Sequence, residues 1–137
     1  MSEHRATVEW TRAGEFRYET YSRAHELRFD GVSVAGNAAP GNIPASVRYE
    51  PGVDPEQAFV ASLSACHMLW FLHLACQKKL VVERYVDEAV GILDKTWVSR
   101  VTLRPAVDHA ALHHLAHEKC FIANSVKTEV IVEPCLK

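Results

Sequence analysis

The chain has 137 residues, 48% of them hydrophobic, with 15 basic side chains against 17 acidic ones. That length and apolar share suit a single domain, residues 1–137, with a real core. The near-neutral balance, with basic residues scattered rather than clustered, excludes the electrostatic footprint of a nucleic-acid binder or a membrane-surface protein.

The chain opens Met1-Ser2-Glu3-His4-Arg5, with no apolar run of the kind a signal peptide needs, which predicts a cytoplasmic protein. Arg5 to Thr11 alternates as a strand does. A turn at Ala13-Gly14 leads to a second predicted strand through Phe16, Tyr18 and Thr20. A third is predicted through Leu27, Phe29 and Gly31. Gly36, Pro40, Gly41, Pro44 and Pro51 then punctuate Val32 to Pro51, which reads as a long loop with a short strand near Val47. A loop of that length inside a compact domain is often functional.

Asp54, Pro55 and Gln57 form a strong helix start: a cap, a proline at the first helical position, and an amide that reaches back. The predicted helix runs to Lys78 with Phe59, Leu63, Cys66, Trp70 and Leu74 on one stripe, and it is apolar nearly all round, as a central helix is. Its polar residues suit a buried helix better than a membrane span. Strands are predicted over Leu80–Lys95, Trp97–Arg104 and Val126–Val132, with a second helix capped by Asp108 and ending near Lys119. Without regular βαβ alternation, this order predicts an α+β fold with a mostly antiparallel sheet.

Four cysteines in a reducing compartment do not make a structural framework, so any bridge among them should be transient and catalytic. Cys66 lies in the long helix and Cys120 just after the second one. Each can be a packed small side chain or, for the pair, a nucleophile and a resolving thiol. Reactivity needs the thiolate, and burial in apolar surroundings opposes it. Cys66 is 12 residues past Asp54, too far for help from the helix dipole. A cation must come from elsewhere, and Arg23 and Arg28 are the candidates. Glu56 either complements the helix dipole or orients that arginine. It is 10 residues from Cys66, about 15 Å along a straight helix. The two can meet only if the helix breaks or if two copies pack across a two-fold axis. Cys76 is too far along the helix to bridge Cys66, and Cys135 sits in the tail. His109, His113, His114 and His117 share one short helix, which reads as a solvated polar face rather than a metal site.

The run Asp54-Pro55-Glu56-Gln57-Ala58-Phe59 through Ala65-Cys66, with Cys120-Phe121-Ile122-Ala123-Asn124-Ser125-Val126, resembles the OsmC/Ohr superfamily over nearly the whole chain. Tyr21-Ser22-Arg23-Ala24-His25 and Cys66-His67-Met68 look more like its general OsmC-like branch than its organic hydroperoxide resistance branch. Phe121 stands where proline is common in the better-studied branches. The resemblance implies an OsmC-like fold: an antiparallel sheet, a long central helix and a second helix, in an intertwined homodimer. It implies a peroxidatic Cys66, a resolving Cys120, and a site arginine, Arg23, paired with Glu56. The expected activity is reduction of organic hydroperoxides, and less well of hydrogen peroxide, through a Cys66–Cys120 disulfide reopened by a dithiol or lipoyl-type reductant. Phe59, Trp70 and Phe121 are candidates for an alkyl-accepting wall or for plain core. No cofactor or metal is expected. The rivals are a non-catalytic domain that binds a small apolar ligand at the dimer interface and a metal-binding protein using the histidine helix.

Overall fold

The computed structural model describes residues 1–135, so the last two residues of the one-domain reading fall outside it. The chain forms two compact units, Met1–Ala58 and Phe59–Lys137.

In the first unit, β1 (Thr7–Glu9), β2 (His25–Phe29) and β3 (Val32–Gly36) make an antiparallel sheet in that order. Asp30-Gly31 closes the β2–β3 hairpin, with Gly31 at φ 73°, a conformation glycine adopts without strain. The predicted strand through Phe16, Tyr18 and Thr20 is instead a turn: the amides of Thr20 and Tyr21 both bond back to the carbonyl of Arg17. Alternation of aromatic residues there reflects a ring cluster of Trp10, Phe16 and Tyr21, with centroids 5.0–6.2 Å apart, rather than a pleat. The long loop is shorter than predicted, because β3 takes its first five residues. Pro40–Asn42 is a 3-10 turn, and the short strand near Val47 is absent, replaced by a turn whose Val47 amide bonds to Pro44. The loop's far end returns to β3: the Val53 amide donates to Ala35, and Asn37 to Val53. A Cβ on Gly52 would lie 2.7 Å from the Gly36 carbonyl carbon, so the approach requires glycine.

Helix α1 (Pro55–Gln77) begins with the expected reciprocal cap. Asp54 Oδ1 accepts from the Gln57 amide at 2.8 Å and Gln57 Oε1 accepts from the Asp54 amide at 3.1 Å. Its buried stripe is Leu63, His67, Phe71, Leu74 and Ala75, one step round from the predicted one. The two stripes share Leu63 and Leu74, so hydrophobicity alone does not separate them. Among the described residues α1 is the one helix long and apolar enough to cross a membrane by length and composition.

In the second unit, β4 (Val90–Asp94), β5 (Trp97–Leu103) and β6 (Glu129–Val132) form a sheet in which β4–β5 is antiparallel and β5–β6 parallel. The parallel pair needs a crossover, supplied by α2 (Ala110–Lys119). The fold is therefore α+β as expected, with the second sheet mixed rather than antiparallel throughout. Residues 80–89 are strand-free apart from one bridge, Asp87 to Pro105. Asp108 does not cap α2. His109, at φ 78°, occupies the cap, and its carbonyl accepts from the Leu112 and His113 amides.

Two apolar clusters fill this unit. Leu63, Val101 and Leu103 pack α1 on the sheet, and Phe71, Leu74 and Ala75 pack α1 on Leu112 and Ala116 of α2. Gly91 permits the first: a Cβ there would meet Val60 Cγ2 at 2.5 Å.

Candidate functional site

The predicted site residues fall in both units. In the first, Arg23 and Glu56 are half-buried and line one pocket of about 530 Å³, whose apolar wall includes Trp10, Phe16 and Tyr21. Arg23 is held by its own neighbourhood. Its Nη1 donates to the carbonyl of Tyr18 at 3.0 Å and to that of Tyr21, and its guanidinium carbon sits 3.5 Å from the centre of the Tyr21 ring. Among the described residues no ion pair joins it to Glu56. Arg28, the other candidate, is committed elsewhere. It bridges Glu26 on its own strand at 2.7 Å and Glu9 on β1 at 3.0 Å, which raises its pKa, Glu26 contributing most.

In the second unit, the two cysteines meet. Cys66 is on the half-exposed side of α1, and Cys120 caps the C-terminus of α2 and is 1% exposed. Their thiols are close enough to influence one another, and both are free. Burial pushes the Cys120 thiol pKa up, and the neighbouring Cys66 adds to the rise. The Ala123 amide, 3.4 Å from Sγ, works the other way. Cys120 is thus the sheltered, protonated thiol and Cys66 the accessible one. The turn after α2 is pinned by two side chains: Asn124 Nδ2 donates to the Glu118 carbonyl at 3.1 Å, and Ser125 Oγ to that of Phe121 at 2.6 Å. Trp70 and Phe121 pack edge to face at 5.4 Å, with Phe121 exposed, whereas Phe59 belongs to the core. Cys76 and Cys135 are exposed and apart from the pair.

α1 is continuous from Pro55 to Gln77, so the helix break that would join Glu56 to Cys66 within one chain is absent.

The sequence reading missed a buried histidine pair. His67 of α1 is 1% exposed and His113 of α2 2%, so His113 departs from the solvated face expected, while His109 and His114 are exposed as expected. His113 Nε2 lies 2.8 Å from the Val107 carbonyl, and His67 Nε2 lies 3.0 Å from His113 Nδ1. A carbonyl only accepts, so His113 Nε2 carries the proton and its Nδ1 accepts from His67 Nε2–H. The rings are 5.3 Å apart and 6° from parallel, as for an in-plane N–H···N bond rather than a face-to-face stack. Phe71 covers the His113 face at 4.2 Å. His67 Nδ1 is then a bare acceptor, and it and His117 Nδ1 are buried without a partner. Burial, with His113 and His117 close by, lowers the His67 pKa to about 4. Among the described residues no three His, Cys, Asp or Glu side chains gather as a metal site. The available signal was spacing: Leu63, His67, Phe71 and Leu74 is as good a stripe as the one through Cys66.

The family described as OsmC-like protein matches residues 48–134 of the chain. The chain belongs to the OsmC-like family. An OsmC-like protein of unknown function from Vibrio cholerae is 45% identical, with TM-score 0.88 over 98% of this chain and 100% of that one. An organic hydroperoxide resistance protein from Legionella pneumophila shares the fold at 20% identity and TM-score 0.65, over 100% of this chain and 98% of that one. Another, from Bacillus subtilis, does so at 21% and 0.59, over 97% and 98%. No curated protein matches. The α+β fold is thus common to this chain and these organic hydroperoxide resistance proteins.

Proposed function

We propose that this OsmC-like protein is a cysteine-based peroxidase for organic hydroperoxides, with hydrogen peroxide a poorer substrate. The observation that supports it is the proximity of Cys66 on α1 and Cys120 at the C-terminal cap of α2, 54 positions apart in sequence. The Cys66 thiolate attacks one oxygen of the peroxide, breaking the O–O bond. This leaves Cys66 as a sulfenic acid and releases an alkoxide that takes a proton to become the alcohol. The Cys120 sulfur then attacks the Cys66 sulfur, expelling water and closing the disulfide. A dithiol reductant, such as a lipoyl group, restores both thiols by exchange and is itself oxidised to a disulfide.

Arg23 stabilises the thiolate and the departing alkoxide, and Glu56 orients it. With α1 unbroken, a homodimer supplies the missing half: Arg23 and Glu56 of one subunit serve the cysteines of the other. The uncovered apolar surface of α1, where Leu69 is 62% exposed, supports such packing. A cytoplasmic setting keeps the thiols reduced between turnovers.

The aromatic pocket beside Arg23 also favours a second reading, a non-catalytic domain for a small apolar ligand. Replacement of Cys66 by serine separates the two. Peroxide consumption is expected to vanish in Cys66→Ser, whereas a binder would keep its ligand affinity and would show no peroxide consumption even in the wild type.

A further inference from the structure

Two buried polar side chains in an otherwise apolar helix interface call for a reason. Apolar side chains at both positions 67 and 113 would leave no ring nitrogen orphaned, whereas here His67 Nδ1 is buried without a partner. The histidine is retained at a cost, and what it supplies is direction. Apolar contacts between α1 and α2 tolerate sliding and rotation. The bond from His67 to His113 does not, because His113 is itself fixed to the Val107 carbonyl and clamped by Phe71. The position of this bond matters. His67 directly follows Cys66 on α1, and His113 lies two helical turns before Cys120 on the same buried face of α2. A change in the register of the helices at the histidines shifts the two sulfurs relative to one another.

We infer that the His67–His113 hydrogen bond is a positioning device that sets the separation of Cys66 and Cys120 and so governs how readily their disulfide closes. The inference rests on the disulfide of the proposed function. It assigns these histidines no contact with the peroxide; they act through the helices that carry the thiols. A carboxylate or metal is not required, because neutral rings suffice for an N–H···N bond.

The test is the reduction potential of the Cys66–Cys120 couple, measured by glutathione titration in a Cys76→Ser, Cys135→Ser background. His67→Leu keeps the volume and removes the donor. It should lower the effective concentration of one thiol at the other at least tenfold, a shift of about 30 mV toward easier reduction. His67→Gln retains an N–H that reaches His113 Nδ1 and should stay within about twofold of the parent. His113→Phe, which refills the site against Phe71, should behave as His67→Leu does and serves if that variant does not fold. Equal potentials in His67→Leu and the parent, or equal shifts in the leucine and glutamine variants, would overturn the inference while leaving the peroxidase reading intact. Failure of the parent itself to form a Cys66–Cys120 disulfide at any glutathione ratio would sink both.

Discussion

At the scale of single residues, the two thiols are unequal in ways that their sequence contexts did not reveal. Cys120 is sealed in and its thiol is held protonated, whereas Cys66 is half-exposed. In Cys120→Ser, peroxide should therefore still be consumed once per chain, and a sulfenic acid at Cys66 should be captured by dimedone. Labelling at any other cysteine would count against the assignment. The histidine pair makes a separate prediction about acid. The unfolded chain protonates His67 near pH 6.5, but the native state only near 4. Burial lowers His113 in the same direction. Stability is thus fully present above pH 6.5 and declines as the pH falls from there toward 4. Each fully coupled histidine contributes at most about 1.4 kcal/mol per pH unit. Urea unfolding at pH 7.5 and 5.0 should show the loss, and His67→Leu should reduce it. An identical acid slope in that variant would refute the account of the pair.

At the scale of elements, α1 carries the most legible part of the chain. Its cap was readable because Asp54, Pro55 and Gln57 each satisfy a local backbone need, independent of the rest of the fold. Asp54→Ala should cost about 1 kcal/mol and lower the melting temperature by several degrees. A change below one degree in calorimetry would show that the cap is redundant. Which face of α1 is buried was not legible. The stripes through Cys66 and through His67 are offset by one position, and only the packing of α2 and β5 chooses between them. The strand at Phe16–Thr20 failed for a related reason: alternating rings satisfied a cluster with Trp10 instead of a sheet. Residues 80–89 carry strand-forming side chains, yet find no partner strand beyond the Asp87 bridge. Gly91 shows the opposite case. Its role is set by Val60 on a distant element, so Gly91→Ala should destabilise by about 1–3 kcal/mol through overpacking, measurable by denaturant midpoint.

At the scale of the whole molecule, the fold class follows from the order of elements, and the parallel β5–β6 pair does not, because the crossover through α2 is a tertiary choice. The site was legible in part. The proximity of Cys66 and Cys120 was anticipated, and the engagement of Arg28 with Glu9 and Glu26 was not legible. The proposed dimer predicts a mass in solution of twice 15.4 kDa by sedimentation equilibrium, reduced toward one chain by Leu69→Lys. A wild-type protein that sediments as a monomer while consuming peroxide would require another source for the arginine. The most direct measurement is mass spectrometry of the protein after one equivalent of an organic hydroperoxide. The account predicts a loss of two hydrogens and a single linked peptide pair containing Cys66 and Cys120. Cysteines that stay reduced while the peroxide persists would contradict it.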